Sequence, residues 1–124
     1  MILVDTSIWI DHFRASDPQL VTLLPRNEVL SHPFVIGEIA LGSIAKRGEV
    51  LRYLHNLPAA VGAKHDEVMV LIDRHKLANT GIGYVDANLL ASAALTSGAA
   101  LWARDKNLRA AAVRCGVAPK IALT

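Results

Sequence analysis

The sequence predicts an α/β domain with a mainly parallel central sheet flanked by helices, one domain over residues 1–124. Two observations carry that expectation. Short apolar runs of strand length, chiefly Met1–Val4 and Ala99–Ala103, alternate with stretches whose apolar residues recur at helical spacing. The chain is also 52% hydrophobic but only 5% aromatic, enough Ala, Leu, Ile and Val for one buried core. The single cysteine, Cys115, allows no internal disulfide and fits a packed thiol in a reduced, cytoplasmic protein.

The elements follow in order. Met1 to Val4 reads as a strand, and Thr6 or Ser7 can cap a helix through Trp9, His12 and Phe13 toward Arg14. Ser16-Asp17-Pro18 starts a second helix, with Leu20, Leu23 and Leu24 inward and Pro25-Arg26-Asn27 ending it. Glu28 to Ser31 is a short strand. Pro33 opens a helix whose Ile36, Ile39, Ala40 and Ile44 fall at helical spacing. Glu49 to Leu57 and Asp66 to Leu77 are further helices, with a weak strand at Ala59–Ala63 between them. Gly81 and Gly83 make a turn before a helix over Tyr84–Thr96. After the Ala99–Ala103 strand, Asp105 or Asn107 starts the last helix, and Val117 or Ile121 supplies a possible edge strand. No basic leader precedes the first apolar run, and no stretch is long enough to span a membrane.

Four acids stand alone in apolar surroundings: Asp5 in MILVDTS, Glu38 in FVIGEIALG, Asp86 in GYVDANLLA and Asp105 in ALWARDKNL. Asp5 and Asp105 come at or just after the ends of predicted strands, where open α/β sheets place their ligands. Taken alone, each of Asp5, Asp86 and Asp105 reads first as a helix cap. Glu38 lies within an apolar helix, where a charge needs a partner, and an ion pair is the ordinary alternative. One shared cation satisfies all four together. Clustered acidic oxygens suit Mg²⁺ or Mn²⁺, and a metal so held can hydrolyse phosphodiesters.

Net charge is only +2, but its distribution leans basic. Neutralising those four of the 11 acids leaves seven against 13 basic residues. Beyond Asp105 the chain holds Lys106, Arg109, Arg114 and Lys120 and no acid, modest support for a polyanionic partner. The five histidines show no metal-ligand spacing and read as surface or boundary residues. No G-x-S-x-G elbow, Walker loop or G-x-G-x-x-G fingerprint is present.

VDTSIWIDHF at the start, the isolated GE in an apolar helix, GYVDANLLASA and LWARDKNL occur in that order across the chain. Together they resemble the PIN-domain ribonucleases, and more narrowly the VapC toxins of bacterial and archaeal toxin–antitoxin pairs. The resemblance implies a Mg²⁺-dependent endoribonuclease, with Mn²⁺ as a substitute. It implies that Asp5, Glu38, Asp86 and Asp105 form the acidic metal site, with Asp5 and Asp86 the most direct ligands and Ser7 a supporting hydroxyl. It further implies a homodimer, a cognate VapB-type antitoxin whose C-terminal segment reaches the site, and structured RNA of the transfer or ribosomal class as substrate. Arg104, Lys106 and Arg109, beside the last acid, are candidate contacts to RNA phosphates.

One departure concerns Ala103, which stands where the family often carries Thr two residues before the last acid. Strand alternation would put it on the same side as Asp105, so Ala103→Thr is expected to raise the cleavage rate. Other reactions fit less well. Phosphoaspartate chemistry of the haloacid-dehalogenase kind needs a second Asp where Ser7 stands, and a receiver domain needs paired acids near the first strand. A degenerate PIN scaffold that binds RNA or a protein without cutting is the alternative outside enzymes.

Overall fold

Three parallel strands organise the chain, with β1 (Ile2–Val4) in the middle, β2 (Val29–Leu30) on one side and β3 (Ala100–Trp102) on the other. The computed structural model describes residues 1–124. Ile2 stands opposite Val29 and Ala100, Leu3 opposite Leu30 and Leu101, and Val4 opposite Trp102. The first crossover therefore leaves β1 in one direction, and the second carries the chain to its other side. That reversal opens a crevice outside the carboxyl ends of β1 and β3.

Seven helices cover the sheet: α1 (Thr6–Arg14), α2 (Pro18–Leu23), α3 (Pro33–Leu41), α4 (Arg47–His55), α5 (His65–Arg74), α6 (Tyr84–Leu95) and α7 (Lys106–Arg114). Their starts follow local chemistry. The Asp17 carboxylate accepts the Gln19 and Leu20 N–H groups, and Pro18 takes the first helical position. His32 caps α3 through Nδ1, which accepts the Phe34 N–H at 3.0 Å. A 3₁₀ turn, Leu24–Arg26, follows α2, and Asn27 closes it in the left-handed region at φ 55°.

The structure is shorter in strands than the sequence suggests. The expected strand over Ala59–Ala63 is reduced to one parallel bridge between Ser31 and Ala59. Val117 adds no strand either, although its carbonyl accepts the Leu101 N–H at 2.8 Å, and Ile121 lies exposed. Pro119, with no N–H, cannot extend such pairing. The fifth helix ends at Arg74 rather than Leu77. Lys76 turns back at φ 53°, and Arg114 binds the carbonyls of His75 and Lys76.

Twenty-eight buried apolar residues make one core. Trp9 and Trp102 are its largest members, with Leu3, Ile8, Leu20, Leu54, Leu89 and Leu101 around them. Every residue of α6 from Ala87 to Ala93 is buried, which explains why that helix is apolar on all sides in the sequence. Asp86, one residue earlier, is the point where α6 emerges from the core. No helix is long and apolar enough to cross a membrane.

Candidate active site

The four acids arrive from four elements. The Asp5 N–H donates to the Trp102 carbonyl at 3.0 Å, which extends the β1–β3 pairing and fixes this residue at the mouth of the crevice. Asp5 is then the N-cap of α1, yet its carboxylate accepts no capping bond from the helix. Its one side-chain partner is the Ser7 hydroxyl, at a long 3.4 Å. Asp105 is the N-cap of α7 and does cap it, its Oδ2 accepting the Leu108 N–H at 2.9 Å. Asp86 stands in the first turn of α6, and its Oδ2 accepts the Gly83 N–H at 3.3 Å. Glu38 extends from the middle of α3.

Burial differs from the expectation of four acids sunk in apolar surroundings. Asp5 and Asp86 are half-buried, whereas Glu38 and Asp105 are exposed. Glu38 needs no basic partner, because the Thr6 hydroxyl donates to its Oε1 at 2.6 Å. The sequence indicates only a helix-capping role for Thr6. The one available signal was a hydroxyl next to Asp5, and nothing in the chain indicates that α3 lies beside α1.

Electrostatics show which acids share a field. Burial pushes the Asp5 carboxyl up; the Thr6 N–H, next in size, pulls it back, the charges of Asp86 and Glu38 raise it again, and the Ser7 hydroxyl lowers it least. Burial likewise raises Asp86, partly offset by the Gly83 N–H and reinforced by the charges of Asp105 and Glu38. Both salt bridges in the molecule lie elsewhere, so no basic side chain neutralises any of the four.

The donor chemistry fits a hard divalent cation. No group of three or more His, Cys, Asp or Glu side chains stands close enough to enclose an ion directly. Hard divalent cations take carboxylate oxygens, and one or two such ligands with several retained waters need no such enclosure. Asp5 and Asp86 are the more buried pair of the four, and Glu38 and Asp105 the more open.

The sequence matches the PIN domain family over residues 2–114. The chain belongs to the PIN-domain family, in its VapC-type branch. Ribonuclease VapC32 of Mycobacterium tuberculosis, from two strains, is 55% identical to it over 118 residues, covering 95% of this chain and 95% of each relative. The expected α/β architecture with a parallel sheet is the one observed.

The three candidate RNA contacts separate in the PIN structure. Lys106 and Arg109 are exposed on α7 and form no ion pair. Arg104 is engaged within the fold instead. Its guanidinium reaches Asp11 at 2.8 Å and Asp17 at 2.5 Å, and its Nε donates to the Thr124 carbonyl at 3.0 Å. The same group lies over the Trp102 ring, 5.9 Å from its centroid.

Ala103 also departs from its expected place. β3 ends at Trp102, so strand alternation does not carry from Ala103 to Asp105. Ala103 is 6% exposed and lines a cavity of about 390 Å³ beneath the C-terminal tail, with Leu101, Ala112 and Leu123. Ala103→Thr is therefore expected to leave single-turnover cleavage of RNA unchanged. Its hydroxyl would enter apolar surroundings and cost roughly 1–3 kcal/mol in a denaturant melt. A faster variant of unchanged stability would return Ala103 to the neighbourhood of Asp105.

Proposed function

We propose that this PIN domain is a Mg²⁺-dependent endoribonuclease, the toxin of a VapBC-type pair acting in the cytoplasm, with Mn²⁺ able to replace Mg²⁺. The carrying observation is the set of four carboxylates at the carboxyl ends of β1 and β3, mutually repelling and paired with no base. The ribonuclease name of the 55% identical relatives supports the same reading.

In this mechanism Asp5 and Asp86 would be the most direct ligands of the ion, and Glu38 and Asp105 would be direct or water-mediated ligands or would orient the nucleophile. A bound divalent cation supplies Lewis acidity, lowering the pKa of the attacking water and offsetting charge on the phosphate. The chain's own residues set the geometry. Asp105 keeps its Oδ2 on the Leu108 N–H, which fixes the carboxylate while Oδ1 faces away from that cap. The Thr6 hydroxyl holds Glu38, and Ser7 leans on Asp5. Lys106 and Arg109 contact flanking phosphates, positioning the strand without reading its bases.

Growth is the direct test. Expressed alone in a bacterial host, the wild type should arrest growth, and Glu38→Gln at equal protein level should not. Losing one oxygen charge beside Asp5 and Asp86 removes a ligand or orienting group while the Thr6 hydrogen bond survives on the amide oxygen. Full toxicity of Glu38→Gln would remove Glu38 from the site. Harmless wild-type protein that binds RNA without cutting it would favour the degenerate scaffold. Mapping RNA ends after a brief expression pulse then identifies the substrate, for which we propose transfer or ribosomal RNA.

The VapC-type assignment further suggests a VapB-type antitoxin, its C-terminal segment entering the acidic crevice, and a homodimer. We place the dimer interface on the helices around Asp17–Leu24 and Gly37–Val50. Val21 and Leu41 are exposed there by 52% and 91%. Light scattering at tens of micromolar without antitoxin should give twice the 13.3 kDa chain mass, and a monomer would count against the interface.

A further inference from the structure

His32 takes no part in the mechanism above, yet it is the only buried histidine, 4% exposed rather than at the boundary where the sequence suggested it. Its Nδ1 accepts the Phe34 N–H at 3.0 Å, and its Nε2 lies 3.0 Å from the Ser92 hydroxyl. A backbone N–H can only donate, so Nδ1 carries no proton. The neutral ring keeps its proton on Nε2 and donates it to Ser92 Oγ. Burial alone lowers the His32 pKa, which favours this neutral form.

The two partners sit on the helices that bear the acids. His32 caps α3 six residues before Glu38, and Ser92, fully buried, lies on α6 six residues after Asp86. Otherwise α3 packs mainly on α1 and α4, while α6 packs on α5, α7 and β3. No other hydrogen bond joins residues 32–41 to residues 84–95. Six helical residues span about 9 Å, so a tilt of about 10° at the cap moves the Glu38 end by about 1.5 Å. A misplacement of about 1 Å is enough to cost on the order of 100-fold in rate.

We propose that the buried His32–Ser92 hydrogen bond is a positioning strut that sets Glu38 on α3 against Asp86 on α6, so that both carboxylates address one divalent cation. The proposal rests on the metal-site reading above. His32 and Ser92 touch neither ion nor RNA, and act only through the two helices. The cap and the strut are separable. Ser92→Ala removes the strut alone. His32→Asn keeps a favoured N-cap residue but is too short to reach Ser92.

Mn²⁺ titration, by calorimetry or by loss of the free-ion electron paramagnetic signal, reads the strut without any RNA. Ser92→Ala and His32→Asn, folded by circular dichroism, should bind Mn²⁺ roughly 10–100-fold more weakly than wild type. Their kcat on saturating RNA should fall in step while KM stays unchanged. The double variant should bind no worse than the weaker single one, because both remove the same bond. Wild-type Mn²⁺ affinity in the folded variants would overturn the strut even if their melting temperatures fell, since a purely structural bond lowers stability without touching affinity. Wild-type protein that binds Mn²⁺ and cuts no RNA would sink the nuclease reading, and the affinity loss would still support the strut. Wild-type protein that binds no Mn²⁺ would overturn the strut as well. If His32→Asn does not fold, Ser92→Ala decides alone.

Discussion

Asp5→Asn and Asp86→Asn should each abolish RNA cleavage, by at least about 100-fold or roughly 2.7 kcal/mol of transition-state stabilisation, without loss of the fold. Both should also remove the thermal stabilisation that Mg²⁺ or Mn²⁺ gives the wild type. The apo variants should be more stable than apo wild type and melt at a higher temperature. Burial and the neighbouring acids disfavour the ionised forms of both carboxyls, and an amide carries no such penalty. Loss of activity with loss of fold would say nothing about metal. Intact metal stabilisation in both variants would take the site out of the mechanism.

The same shifts give the apo protein a direction with pH. The folded pKa values of Asp5 and Asp86 lie above the ordinary aspartate value of 3.8, so folding favours their protonated forms. Their contribution is fully present below that ordinary value and is lost as pH rises through the folded values. Asp17 runs the other way. Burial would raise it, but the Leu20 N–H, Arg104 and the Gln19 N–H together hold it below the ordinary range. Its contribution is present above 3.8 and lost as pH falls through the folded value. Apo wild type should therefore gain stability from Asp5 and Asp86 on mild acidification and lose it from Asp17 on stronger acidification. Asp5→Asn should flatten the first limb and leave the second.

Much of this fold was legible because its signals are local. Pro18 and Pro33 mark real helix starts, and the mainly apolar run after Asp86 is buried from Ala87 to Ala93. The placement of Asp5 and Asp105 followed from strand ends, and β1 and β3 are indeed neighbours. What stayed hidden depends on contacts distant in sequence. Thr6 reaches Glu38 across 32 positions, and His32 reaches Ser92 across 60. Capping does not exclude a share in the acidic field, since Asp105 caps its helix and its charge still acts on Asp86. The apolar setting of Glu38 misled in the other direction. Of its helix neighbours only Val35 and Ile39 are buried, while Phe34, Leu41 and Glu38 itself lie exposed.

Arg104 is the sharpest case, and Arg104→Ala should have the largest effect on stability. A basic residue next to the last acid reads as an RNA contact, yet this guanidinium joins α1, α2 and the C-terminus. The Asp17 arm carries most of the weight, since that carboxylate is only 12% exposed and would lose a charge-assisted bond. The Asp11 arm, on a side chain 56% exposed, adds little. With Arg104 itself 32% exposed, solvent screening keeps the total to roughly 1.5–3 kcal/mol. Arg104→Lys should recover only part of it, because one ammonium cannot serve two carboxylates and the Thr124 carbonyl together. The deficit should shrink as pH falls through the Asp17 titration, where the protonated acid no longer holds the guanidinium. RNA affinity, measured well below the melting temperature, should be unchanged in Arg104→Ala and weakened in Lys106→Ala and Arg109→Ala, whose charges are unpaired and exposed. An Arg104→Ala protein that melts like wild type but binds RNA weakly would restore Arg104 to the RNA-binding surface.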